Sequence, residues 1–420
     1  MTTGSSVLPS HSSIEGGHLV IGGCDTVELA ARFGTPLYVY DETGLEEQCV
    51  DLARALANAP SGSRGLYAVK AFPAVAMAAI AHRAGLGILC ASLGELRVAQ
   101  AAGVPASDLV LHGNNKSEDE LRVPVSRLVV DSFDEIDRLD RLGINASVLL
   151  RVAPGLDAGA HEFIRTGGVD TKFGVGMGQA IDAAKRLASI PSVRLAGLHA
   201  HVGSQLFGAE EHLELVRLMV PFLREMSEAT GVELRELDLG GGFAIAYTDH
   251  DVPVTSPAAV AAELLNHWPS DLALILEPGR ALVGRSGLSL HTIGTVKEVP
   301  GIRTYVALEG GMSDNIRPPL YGARYSFFVA GRADAPPEQA VRIVGKHCES
   351  GDIVAPEALL PADPRPGEVV VTAATGAYTW AMASNYNQIP RSAVVFCRDG
   401  QATEVVRRES AEDLLRLQVR

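Results

Sequence analysis

Residues 66–112 read LYAVKAFPAVAMAAIAHRAGLGILCASLGELRVAQAAGVPASDLVLH, three short apolar runs separated by two longer helical ones. Leu66–Lys70, Gly87–Ala91 and Leu109–His112 have the length and β-rich apolar character of buried strands. Between them, Ala74–Ala84 and Leu93–Ala102 space their apolar residues at a helical period. Further apolar runs follow at Leu128–Asp131, Val148–Ala153, Leu195–Val202, Leu234–Leu239 and Leu272–Glu277, with helix-like Phe133–Leu142 and Glu211–Glu228 among the connections. Eight β runs alternating with helices predict an α/β chain built on a parallel (β/α)8 barrel. A doubly wound open sheet uses the same alternation and is the alternative architecture.

The pattern changes after residue 285. Leu288–Val296, Arg303–Leu308, Gln339–Val344, Glu368–Thr372 and Ala393–Arg398 read as strands, and a helical signal returns only at Ala411–Gln418. The expected organisation is therefore a barrel over 36–285 and a mostly-β domain over 286–420. Residues 1–35 read as a polar tail followed by a strand, His18–Ile21, that adds to the β domain, and a helix, Thr26–Phe33.

A chain of 420 residues suits two large domains. With 36 Lys and Arg against 50 Asp and Glu, the net charge is −14, which disfavours nucleic acid and anionic membrane as partners. No apolar run approaches the roughly 20 residues of a membrane helix, and the N-terminal MTTGSSVLPSHSSIEGG lacks the form of a secretion signal. The five cysteines, Cys24, Cys49, Cys90, Cys348 and Cys397, are odd in number and widely spaced, which points to a reducing cytosol and away from disulfides or zinc.

Barrels place function at the C-terminal ends of their strands. Lys70 closes the first run, where an ammonium is either snorkelling to the rim or a desolvated, reactive amine. His199 and His201 in GLHAHVGSQ are two apart and share a strand face, as core residues or as metal ligands lacking a clear third partner, so no metal is expected. Gly240, Gly241 and Gly242 follow the seventh run, where barrels commonly cradle phosphate with free backbone N–H groups, although a glycine triplet is also a plain tight turn. Glu277 and Arg280 flank Pro278 and Gly279 after the eighth run. The second domain adds GGMSDNIRPPLYGARY (310–325), KHCESGD (346–352) and GAYTWAMASNYN (376–387), each weak evidence alone.

Taken in order, YAVKA, HVGSQ, LGGG, EPGR, GGMSDNIRPPLYGARY, HCESGD and GAYTWAMASNYN resemble the alanine-racemase-like, fold type III pyridoxal-phosphate decarboxylases, from about Gly23 to the C-terminal region. Within that family the chain is most similar to members acting on diaminopimelate. The resemblance implies that Lys70 bonds pyridoxal 5'-phosphate, that His201 lies against its ring, and that Ser204 and Tyr378 contact it. It implies that Gly240, Gly241 and Gly242, with the backbone near Gly279 and Arg280, hold the phosphate and that Glu277 meets the ring nitrogen. Arg280, Arg317 and Tyr321 would grip the substrate carboxylate that is retained. Cys348 and Glu349 would reach in from the second chain of a homodimer, Cys348 as a proton donor. Two departures from the family pattern stand out: Glu309 where Asp is usual, and Thr379 and Trp380 after GAY.

Elementary chemistry agrees with these roles. A carboxylate at the ring nitrogen favours the protonated, electron-accepting ring. A distal carboxylate is best met by a planar guanidinium fork. The rival readings are a decarboxylase of ornithine, arginine, carboxynorspermidine or a carrier-bound amino acid, and a non-catalytic cofactor-binding protein. Against the first, ornithine-type members typically carry Asp after the cysteine, where this chain has Glu349. Against the second, Lys70 and Cys348 are both present.

Overall fold

The computed structural model describes residues 5–156 and 171–419. Two compact units emerge. One comprises Gln48–Ile245 and Pro253–Ala281; the other comprises Met1–Glu47, Ala246–Val252 and Leu282–Arg420.

The first unit is a closed parallel barrel. Its strands are β1 (Arg64–Ala68), β2 (Gly87–Cys90), β3 (Leu109–Leu111), β4 (Arg127–Val130), β5 (Ala146–Ala153), β6 (Val193–His199), β7 (Glu236–Asp238) and β8 (Ala273–Leu276). Each pairs with the next in sequence, and β8 closes the ring on β1 through Leu276 and Gly65. This is the eightfold alternation expected from the sequence, and the open-sheet alternative is excluded by the closure. Leu66, Ala68, Leu89, Val110, Val129, Leu149, Ala196 and Ile275 form one buried cluster drawn from seven of the strands. Burying each larger member contributes about 1.5–3 kcal/mol. Serines cap the starts of three barrel helices: Ser92 accepts from Glu95 N–H, Ser132 from Glu135 N–H, and Ser117 makes a capping box with Glu120.

Several strands end earlier than their apolar runs, and at β1 and β6 the difference matters for the site. β1 stops at Ala68, so Lys70 lies on the short turn Val69–Ala71 and is exposed, not buried at a strand end. The ladder has no partner beyond Ala68, whose N–H bonds to the carbonyl of Pro278 where the chain has already left β8. β6 stops at His199, its pairing to β7 ending at Asp238. His201 is therefore beyond the strand, and His199 and His201 do not share one strand face.

The second unit is mostly β. Its main sheet contains Leu37–Asp41, Gly287–Val299, Arg303–Leu308, Pro337–Val344, Ile353–Pro361, Ala393–Arg398 and Gln401–Val406, with Val369–Thr372 and Phe327–Val329 branching from it. The boundary expected at residue 35/36 is corrected here. Leu37–Asp41 belongs to the β unit, antiparallel to Gly287–Leu290 and parallel to Ala393–Cys397. His18–Ile21 does not extend that sheet. It pairs with its own neighbours Ser12–Glu15 and Cys24–Asp25, since local pairing closes the shortest loops. Nor is the N-terminus simply a tail: Val7 and Leu8 are buried with Leu19, Leu288, Val371 and Val395. No helix among the described residues is long and apolar enough to cross a membrane.

Candidate active site

The barrel unit gathers its chemistry at the strand ends. Lys70 makes no hydrogen bond or ion pair among the described residues, so its amine is available. Its turn is fixed from both sides. Tyr67 donates its hydroxyl to the carbonyl of Phe72 at 2.8 Å. Gly279 packs so closely that a Cβ there would stand 3.1 Å from Ala68 and Ala71. The EPGR segment thus lies directly on the lysine turn because residue 279 has no side chain.

His201 is half-buried and its Nδ1 accepts the N–H of Gly241 at 3.2 Å, which leaves the proton on Nε2. Burial, then the positive charge of Lys70, push this imidazole well below its usual titration range, so it is neutral. Gly241 is held on its other side by His212, whose Nε2 donates to the Gly241 carbonyl at 3.0 Å.

The glycine triplet does something other than expected. Asp238 Oδ1 takes the Gly240 N–H at 2.8 Å and His201 takes that of Gly241, so only the N–H of Gly242 is left without a partner among the described residues. The side chains of Asp238, at the end of β7, and His201, just past β6, reach these N–H groups first. The triplet's first duty is close approach: a Cβ at Gly240 would stand 2.5 Å from His201 Nδ1, and one at Gly241 would stand 2.4 Å from the Glu277 carbonyl. Gly240 and Gly242 also have φ of 69° and 95°, where side chains are strained. Nearby, Arg280 Nη2 donates to Ser204 Oγ at 3.0 Å, which frees the serine hydroxyl to donate elsewhere.

Glu277 is buried just past β8. His112 Nε2 lies 2.8 Å from one of its carboxylate oxygens and His199 Nε2 lies 3.5 Å from the other. Asp238 completes the group, and one ligand-type atom from each of the four residues falls within 4.8 Å of the others. The sequence reading found no third partner for His199; the fold supplies three, from β3, β7 and β8. His112 and Asp238 were missed, as was buried Arg151, which sits 3.5 Å from Asp131. The signal was present, since His112 and Asp131 close their apolar runs and Asp238 is one residue short of the end of its own.

A buried ion pair fixes the loop after β3. Lys116 Nζ donates to Glu135 Oε1 at 2.7 Å and to the carbonyls of Val129 and Gly113, satisfying all three ammonium protons.

The β unit holds its own group. Arg317 is buried at the start of the helix Arg317–Tyr321. Its Nη1 donates to the hydroxyls of Tyr247 at 2.7 Å and Tyr325 at 2.9 Å, and its guanidinium lies 4.7 Å from the Tyr247 ring centre. Among the described residues no carboxylate is within ion-pair distance of it. Tyr321 closes the same short helix and is half-buried. Tyr378 holds a φ of 59°, a strained backbone of the kind that functional sites retain. The unusual Trp380 is satisfied locally, its indole N–H bonding to the Ser392 carbonyl at 3.1 Å, and Glu309 accepts from the Thr35 hydroxyl at 2.5 Å. Cys348 is the exposed cysteine of the five, the other four being buried. That excludes a packing role for it. Its N–H bonds to Asn387, and Glu349 is exposed beside it.

Comparison with known proteins gives this arrangement a context. Residues 44–284 match the pyridoxal-dependent decarboxylase, pyridoxal binding domain, family. The diaminopimelate decarboxylase of Bacillus subtilis (strain 168) is 41% identical over 418 residues, covering 96% of this chain and 95% of that protein. That of Mycobacterium tuberculosis (strain ATCC 25618 / H37Rv) is 41% identical over 434 residues, covering 97% and 96%. Among solved structures, the M. jannaschii diaminopimelate decarboxylase in co-complex with L-lysine superposes with a TM-score of 0.88 at 30% identity, covering 97% of this chain and 98% of that one. By these likenesses over nearly its whole length, the chain belongs to the diaminopimelate decarboxylase family of pyridoxal-dependent decarboxylases.

Proposed function

We propose that the chain removes the carboxylate at the D centre of meso-2,6-diaminopimelate, releasing CO2 and L-lysine, as the last step of lysine biosynthesis in the cytosol. The observation that carries the substrate choice is Arg317. A buried guanidinium whose neighbours are two phenols is a costly arrangement until an anion meets it. Diaminopimelate brings a second carboxylate to be met; ornithine and lysine do not. The L-lysine held by the M. jannaschii relative fits the expected product.

Pyridoxal phosphate fits the barrel's residues. Glu277 is a buried carboxylate whose Oε2 has His199 Nε2 no closer than 3.5 Å, and Lys70 offers an amine unpaired among the described residues on a braced turn. When bound, the cofactor supplies an electron sink for the pair left on Cα as CO2 departs. In this reading Lys70 would hold it covalently and Glu277 would accept from the ring N–H. His201, fixed on Gly241, covers the ring face. The Gly242 N–H, the Ser204 hydroxyl and the backbone of Gly279 and Arg280 are offered to the phosphate, with Gly240 and Gly241 shaping the turn. Tyr378 is assigned a further cofactor contact. Arg317, with Tyr321 and Arg280, takes the retained carboxylate.

The test is a panel of amino acids with CO2 release as the readout. Diaminopimelate should be turned over at least about a hundredfold faster than ornithine, arginine or lysine, the scale set by leaving a buried charge unpaired. Comparable turnover of ornithine sinks the substrate assignment.

The exposed Cys348 and Glu349 lead to the second part of the reading, a twofold dimer in which each chain lends them to its partner's site. Cys348 would deliver the proton to Cα and Glu349 would pair with the substrate's distal ammonium. Mixing inactive Lys70→Ala with inactive Cys348→Ala, after subunit exchange, leaves one site of each mixed dimer intact. Random pairing restores roughly a quarter of wild-type activity by symmetry alone. Verified exchange with no recovery places Cys348 in its own chain's chemistry or outside it.

A further inference from the structure

Four buried ionisable side chains from four strand ends meet around Glu277, and the roles given above use only one of them. His112 follows β3, His199 ends β6, Asp238 ends β7 and Glu277 follows β8. The two imidazoles face opposite oxygens of the Glu277 carboxylate, at 2.8 and 3.5 Å, and pack edge to face on each other at 4.7 Å. Asp238 spends Oδ1 on the Gly240 N–H, while its Oδ2 is buried and makes no hydrogen bond among the described residues. We propose that His112, His199 and Asp238 are positioning residues that hold Glu277 fixed and singly charged, with Asp238 carrying the one proton the two carboxyls share. The proposal rests on the reading that Glu277 meets the cofactor's ring nitrogen.

Two carboxyls in a dry pocket do not both ionise. The donors decide which one keeps the proton. Glu277 has an imidazole at each oxygen and feels the buried Arg151 guanidinium, itself beside Asp131. Asp238 has one backbone N–H and, more weakly, the charge of Arg64, while Arg151 acts on both carboxyls. Burial, followed by the charge of Glu277, drives the Asp238 carboxyl far above its usual range. Burial pushes Glu277 the same way, but His112 and His199 outweigh it and hold its carboxyl well below. Burial also takes His112 down to about 4 and lowers His199, so at neutral pH both are uncharged and each turns its Nε2 toward the carboxylate. The neighbouring His201 is neutral as well. The set therefore carries one negative charge, on the residue aimed at the cofactor, and three groups that orient it. A carboxylate so fixed favours the protonated ring far better than one free to rotate or to take up a proton itself.

Titration of apo-protein with pyridoxal phosphate, followed by tryptophan fluorescence and by absorption of the bound cofactor, tests the proposal without reference to turnover. Asp238→Asn, His112→Gln and His199→Gln keep an N–H donor at the right place. They should bind within about threefold of wild type, with an unaltered absorption band, whereas Asp238→Leu, His112→Leu and His199→Leu should lose about tenfold or more, as expected for a lost bond to a charged group. In a Glu277→Ala background none of the six should matter by more than about twofold, because they act through that carboxylate. Asp238→Asn as weak as Asp238→Leu shows that Asp238 is not the proton carrier and overturns the proposal. So do leucine effects that persist without Glu277, and so does one tightly held zinc per purified chain, which would make the four residues a metal site. If the leucine variants fail to fold, the asparagine and glutamine variants still decide it. Wild-type affinity in Glu277→Ala alone sinks the ring-nitrogen reading instead, which keeps the two failures apart.

Discussion

Lys70→Ala should lose turnover by roughly a thousandfold or more, the scale of removing a covalent catalytic group. It should also lose the cofactor absorption expected near ~420 nm for pyridoxal phosphate bonded to a lysine amine. The structure makes this a clean experiment. Lys70 is exposed on a turn whose shape is set by Tyr67, Phe72 and Gly279, and among the described residues its amine holds nothing else in place. Truncation should therefore leave stability within about 0.5 kcal/mol of wild type, as for other exposed substitutions. Thermal unfolding of apo-protein checks that control. Borohydride reduction of the wild-type protein should fix the cofactor to the peptide carrying Lys70. Label on a different lysine, or a variant that retains the absorption band, removes Lys70 from its assigned role.

The second large effect belongs to Arg317. Arg317→Ala should raise KM for diaminopimelate by about a hundredfold or more, the consequence of removing one member of a desolvated charge pair. The cofactor's absorption should not change, because the pair it breaks lies with the substrate. Arg317→Lys should recover only part of the loss, since a point charge does not replace a planar fork. The hydroxyls of Tyr247 and Tyr325 fix that fork in the β unit, at 2.7 and 2.9 Å from Nη1. A KM within about threefold of wild type in Arg317→Ala would show that the retained carboxylate is met elsewhere; a charged hydrogen bond is worth more than that.

Much of the barrel was legible before any coordinates. All eight strands fall on the apolar runs, and helices such as Phe133–Leu142 and Thr26–Phe33 match to the residue, because amphipathic period and serine or aspartate caps are local properties. The motifs also placed Lys70, His201, Ser204, Glu277 and Arg280 in one unit and Arg317, Tyr321, Cys348 and Tyr378 in the other. Less legible was Leu37–Asp41. It is an apolar strand immediately before a helix, which reads like another barrel repeat. Its partners, Gly287–Leu290 and Ala393–Cys397, lie about 250 and 350 residues away in sequence, so nothing local marks it as part of the β unit.

The sequence by itself determined the two kinds of architecture and the family, because each is written in short-range pattern or in a contiguous motif. Tertiary structure alone decided what surrounds Glu277 and what the glycine triplet does. His112, His199, Asp238 and Glu277 are separated by as many as 165 positions, yet parallel pairing brings their strand ends side by side. The same pairing brings His201 and Asp238 onto the N–H groups of Gly241 and Gly240, and so takes from the triplet two of the three donors a phosphate was expected to use. Strand register sets which ends meet, and in a closed barrel that register is a property of the whole ring.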